Sequence, residues 1–98
     1  MKKVVIEMTY DADIILVPDE IEQNIKKIQE QFDDWIHDKA NDHPFWVYKH
    51  RKKYCPSFRG DAFVYYLNTY IIQDKSKEAC VLEMEVTDYD KELTSIWF

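Results

Sequence analysis

The clearest pattern in the chain is a helical stripe. Ile21, Ile25, Ile28, Phe32, Trp35, Ile36 and Lys39 follow spacings of 4, 3, 4, 3, 1 and 3. At 100° per residue they fall within an arc of about 100°. The spacing predicts one long amphipathic helix over Pro18 to Ala40, with Glu22, Lys26, Glu30, Asp33 and Asp34 on its other faces. Pro18 suits a first helical turn, where its missing N–H has no intrahelical partner. Asp19, Glu20 and Glu22 complement the positive end of the helix dipole. Asn41 is expected to close the far end in the left-handed conformation, and Pro44 prevents continuation.

Period-two segments flank this helix. Val4 to Tyr10 alternates as a strand, with Ile6, Met8 and Tyr10 on one face. Asp11-Ala12-Asp13 reads as a turn, because Asp side chains bond readily to nearby backbone. Ile14 to Val17 is then a second strand, joined to the first as a hairpin. Phe45 to Tyr48 is aromatic and β-branched, which favours a strand. Lys49 to Lys53 reads as an exposed turn, and Tyr54 to Phe58 as a return strand that Pro56 moves toward an edge. Gly60-Asp61 marks a helix start with Asp61 as N-cap. Phe63, Leu67, Tyr70 and Ile71 form that helix's apolar face, with Tyr65 off the stripe. Asp74 to Lys77 is a polar turn. Ala79 to Val86 alternates as a strand with Cys80, Leu82, Met84 and Val86 on its buried face. Thr87 to Glu92 is an acidic connector. Leu93, Ile96, Trp97 and Phe98 are apolar enough that docking on the body, or on another copy, is expected.

The resulting fold class is α+β: a small antiparallel or mixed sheet with two helices on one face, in the order β-β-α-β-β-α-β. Ninety-eight residues suit a single domain over 1–98. The composition, 46% hydrophobic and 15% aromatic, can fill a core. Disorder is therefore excluded despite 33% charged residues. One glycine and three prolines argue against a turn-rich sandwich or barrel. The opening Met-Lys-Lys leads only to Val4–Ile6 before Glu7 interrupts, which is too short for a signal-peptide core. No run approaches the ~20 apolar residues of a membrane span. A cytoplasmic protein without membrane partners is expected. Cys55 and Cys80 are expected to be free thiols, with Cys80 a small buried hydrophobe.

Net charge is −6, unevenly distributed. Five of the 13 basic residues (Lys49, Arg51, Lys52, Lys53 and Arg59) lie in one segment without an acid. The remaining eight are scattered among all 19 acidic residues. Such separation can orient a partner during encounter.

Candidate chemistry is sparse. Asp33 and His37 are i, i+4 neighbours, but two ligands do not make a metal site. His43, His50 and Cys55 match no zinc spacing. Cys55 with either histidine lacks a third member and an oxyanion donor pair. Asp11 and Asp13 read as turn residues rather than an acid/base pair. One glycine cannot build a phosphate loop. The expectation is a non-enzymatic domain with no cofactor and no metal.

The aromatics point to binding, since aromatic residues near arginine commonly anchor interfaces. The candidate interaction surface is Trp46, Tyr48, Lys49, Arg51, Lys52, Lys53, Tyr54, Tyr65, Trp97 and Phe98. Its expected partner is another protein or a second copy of the chain. Two alternatives use the charge map. Asp33, Asp34, Asp38, Asp42, Glu83, Glu85, Asp88, Asp90 and Glu92 could mimic nucleic-acid phosphates, making an acidic inhibitor of the kind a phage or mobile element encodes. Lys49 to Lys53, with Trp46, Tyr48 and Tyr54 for stacking, could instead bind nucleic acid, though the acidic remainder opposes this. In general character (small, acidic, aromatic-rich, lacking catalytic motifs) the chain resembles many bacterial, phage and mobile-element proteins. That likeness assigns no residue a role.

Overall fold

The computed structural model describes residues 1–98. β1 (Lys2–Glu7) and β2 (Ala12–Val17) form the expected antiparallel hairpin. β1 stops short of Tyr10 because the Met8 N–H turns back to the Asp11 carbonyl at 2.9 Å. β5 (Cys80–Val86) lies antiparallel to β2, and β6 (Thr94–Trp97) lies parallel to β1. The sheet order is β5-β2-β1-β6. A separate two-stranded ribbon comprises β3 (Trp46–Lys49) and β4 (Lys52–Pro56). No helix is long and apolar enough to cross a membrane.

The long helix is divided in two. α1 (Asp19–Gln23) and α2 (Ile25–His37) meet at Asn24, whose backbone leaves the helical region (φ −114°, ψ 21°). Its side-chain amide donates to the Glu20 carbonyl at 2.9 Å, the competition with helical bonding that makes Asn a poor interior residue. The apolar stripe survives the break, with Ile21, Ile25, Ile28, Phe32 and Ile36 all buried. Lys39 lies beyond the end of α2. Asn41 does not adopt the left-handed conformation. It caps instead through its side chain, donating to the Trp35 carbonyl at 3.0 Å.

α3 (Gly60–Tyr66) begins two residues earlier than expected, with extended Arg59 at the N-cap and Asp61 already inside the helix. It continues as a π turn, Leu67–Ile71, closed by Ile72 N–H on the Leu67 carbonyl at 2.8 Å. The wider turn shifts the buried face. Phe63, Tyr66 and Leu67 are buried, while Tyr70 is 57% exposed rather than part of the apolar stripe.

Sixteen buried residues make the main core between the helices and one face of the sheet. Phe32 is its centre. Its ring lies 5.2 Å from that of Phe63, 5.6 Å from Phe58 and from Tyr66, and 5.4 Å from Phe98. Val5, Ala12 and Ile14 form a smaller cluster, covered by Val86, Tyr89 and Leu93. The 87–93 connector thus covers part of the sheet's other face. It does not reach along the whole of β5, so Cys80, Leu82 and Met84 are exposed, contrary to the buried face expected of them. Register slips on either side of Ile14, and a left-handed Glu85 (φ 57°), further irregularise this edge. Bulges and charges of this kind discourage strand pairing with other chains.

Candidate interaction surface

The ribbon begins where α2 ends, and polar contacts fasten the two together. His43 Nε2 donates to the Ile36 carbonyl at 2.8 Å, while its Nδ1 accepts the Phe45 N–H at 3.1 Å. Both ring nitrogens are therefore occupied by backbone. The Trp46 indole stacks on His43 at 4.7 Å and donates to the Asn41 carbonyl at 2.7 Å. Lys53 Nζ donates to the Lys39 carbonyl at 2.7 Å and the Asn41 carbonyl at 3.0 Å, and pairs with the Asp42 carboxylate. His43 thus satisfies a carbonyl in the last turn of α2, and Trp46 and Lys53 satisfy carbonyls in the segment just after it. The Lys53 ammonium beside Asp42 holds that carboxyl below its ordinary value.

Strand alternation separates the ribbon's faces. Trp46, Tyr48 and Lys53 share one, with Trp46 and Lys53 turned into the body. Val47, Cys55, Lys49 and Lys52 share the other. Opposite Val47 and Tyr48, Tyr54 is the extra residue of a bulge. Lys49 Nζ lies 5.0 Å from its ring centre, placing them together. Val47, Tyr48 and Tyr54 are 42%, 58% and 60% exposed, so apolar surface on both strands remains uncovered. At the tip, His50 (φ 53°) and Arg51 (φ 63°) both occupy the left-handed region. This is the backbone of a two-residue primed turn, where Asn-Gly is usual.

Arg59 leaves the basic segment for a different task. It donates from Nη2 to Asp13 at 2.7 Å and Asp11 at 2.8 Å, and from Nε to Asp13 at 3.3 Å. Asp13 is fully buried and also accepts the N–H groups of Gly60 at 2.8 Å and Glu85 at 3.1 Å. Burial pushes its carboxyl toward the neutral form. The Arg59 and backbone hydrogen bonds outweigh this and hold the pKa below the ordinary value. The same hydrogen bonds to Asp13, and those to Asp11, raise Arg59. Gly60 is required by close approach: a Cβ there would lie 2.9 Å from Asp13 Cβ. Asp11 and Asp13 are thus more than local turn residues. They anchor the start of α3 to the central sheet.

Seven of the ten expected interaction residues lie on the ribbon, but Trp46 and Lys53 are committed internally. Tyr65 adjoins the ribbon's base through Phe45, with ring centres 5.5 Å apart. Trp35 extends this aromatic surface, 6.2 Å from Tyr65 and 5.5 Å from Tyr70. The sequence reading missed Tyr70 because the π turn moves it outward. Trp97 and Phe98 lie elsewhere, on and just after β6. Phe98 stacks on Phe32 inside the core. Trp97 is 63% exposed.

No group of three or more His, Cys, Asp or Glu side chains is placed to hold a metal. Cys55 and Cys80 are unpaired and exposed, which corrects the expectation that Cys80 is buried. Compared with family models, curated proteins and solved structures, the chain shows no significant match.

Proposed function

We propose that this chain is a non-enzymatic protein-interaction domain that docks its partner on the β3–β4 ribbon. The observation that carries this reading is the uncovered apolar surface on both faces of the ribbon, Val47 on one and Tyr48 on the other with Tyr54 at the bulge, beside the cations of Lys49 and Lys52. Aromatic anchors with a charged surround are common at protein interfaces. The turn adds support. Left-handed non-glycine residues cost of order 1–3 kcal/mol each, yet the tip uses His50 and Arg51 rather than Asn-Gly. The tip thus carries these two cationic-type side chains against its backbone preference.

Nucleic-acid binding is less well supported. Arg59 and Lys53 are neutralised by Asp11, Asp13 and Asp42, leaving Lys49, Arg51 and Lys52 as the segment's free cations. A partner protein with complementary acidic groups needs fewer charges than a polyanion-binding groove. The partner is another protein or a second copy.

A photo-crosslinking residue at position 47 tests the proposal in extract from the source cell. A discrete protein adduct is expected, lost when Tyr48 and Tyr54 are replaced by Ala. The proposal fails if the adduct survives this double substitution, or if a probe at exposed Gln73 gives the same product. A homodimeric adduct at twice the chain mass identifies the partner as a second copy.

A further inference from the structure

A second, separate group of aromatics lies beside the β1–β2 hairpin turn. Tyr10, Tyr89 and Trp97 line one shallow cleft of about 220 Å³, together with Met8, Val86 and Lys91. Tyr10 is 92% exposed, so it forms a rim and not part of the packed core. The Tyr89 hydroxyl donates to the Glu7 carboxylate. Trp97 stands opposite Glu7 in the β1–β6 register, so a carboxylate adjoins the aromatic walls. Lys91 Nζ already sits 3.6 Å from the centre of the Tyr89 ring.

Aromatic faces attract cations through their quadrupole, and alkylated ammonium groups, which shed water easily, are good partners for such faces. The geometry points to this cleft as a binding site for an alkylammonium group, with Lys91 as its internal occupant. The incoming group displaces the Lys91 ammonium from the Tyr89 ring, in the cleft that Trp97 also lines. Glu7 supplies the compensating negative charge behind Tyr89. Two sources share this chemistry: a small quaternary ammonium compound, or an alkylated lysine on another protein. The site uses no ribbon residue and is independent of the function proposed above.

The test follows the three indole N–H signals by NMR during titration of the ¹⁵N-labelled protein. Choline is the probe. Its neutral carbon analogue, 3,3-dimethylbutan-1-ol, and sodium chloride at matched ionic strength are the controls. A saturable shift of the Trp97 signal with choline alone is expected, with Trp35 and Trp46 unaffected. Lys91→Ala should tighten choline binding about three-fold, by removing a competing exposed cation–π contact. Nα-acetyl-Nε-trimethyllysine amide forms a further arm, and the tighter of the two ligands indicates the source. The inference is overturned if Trp97 responds equally to the neutral analogue, if it does not respond to either ammonium, or if Lys91→Ala leaves the affinity unchanged.

Discussion

Asp13 illustrates how much one side chain can hold. Its carboxylate receives Arg59 and two backbone N–H groups from segments far away in sequence. Removing one member of a buried ion pair typically costs 3–5 kcal/mol, because the other is left without its partner. Asp13→Asn should therefore destabilise the fold by about 3 kcal/mol, at the low end because Asp11 still engages Arg59. Urea denaturation measures this. The pH dependence has a definite sign. The folded-state pKa lies below the ordinary 3.8, so the stabilisation is present above that value and is lost as pH falls through the folded pKa. The wild-type melting temperature should drop steeply below about pH 4, and Asp13→Asn should flatten that acid limb. The sequence displays Asp11 and Asp13 as turn formers. Nothing local reveals that Arg59 will meet them, since that contact exists only after β2 and α3 pack.

At the level of elements, hydrophobic period was the most legible feature. Ile21 through Ile36 declared a helix and the face it buries, alternation marked β1 and β5, and a continuous apolar run marked β2. What period does not encode is interruption. Asn24 breaks the helix while keeping the stripe in register, and the π turn after Tyr66 rotates Tyr70 into solvent. β6 was missed as a strand because Thr94–Trp97 is only four residues long and gains its bonding from β1. The ribbon was legible as two strands around a basic turn, but its attachment to α2 through His43, Trp46 and Lys53 was not. Its tip offers a test of conformational cost. Replacing His50-Arg51 by Asn-Gly keeps the primed turn and removes the left-handed penalty. The double variant should gain about 1 kcal/mol net, because the looser unfolded chain that Gly brings offsets part of the relieved penalty, read as a higher melting temperature.

Across the whole molecule, the core depends on segments from both ends of the sequence. Phe98 stacks on Phe32 and lies 5.8 Å from Phe63 and 5.4 Å from Phe58. Trp97 and Phe98 alike were expected to dock on the body or on another copy; the structure takes Phe98 inward and leaves Trp97 outside. Phe98→Ala should cost about 3 kcal/mol, somewhat less than a fully enclosed Phe because the ring is only partly buried. Trp97→Ala should change stability by less than about 1 kcal/mol. Equal losses in the two variants, measured by chemical denaturation, would contradict this division of roles. The candidate binding surface was only partly legible for the same reason: residue type identified the aromatics, while packing decided which of them remain accessible.

The parallel alignment of Val4 with Thr94 has a consequence for synthesis. β1 is made first, yet its outer rim of amide and carbonyl groups stays bare until β6 emerges. Until then Val4–Ile6 can pair on one side only, with β2. Closing so long a loop is entropically slow, and an open strand invites pairing with other nascent chains. Pairing of β1 with β6 is thus a contact of high sequence separation, of the kind that slows folding.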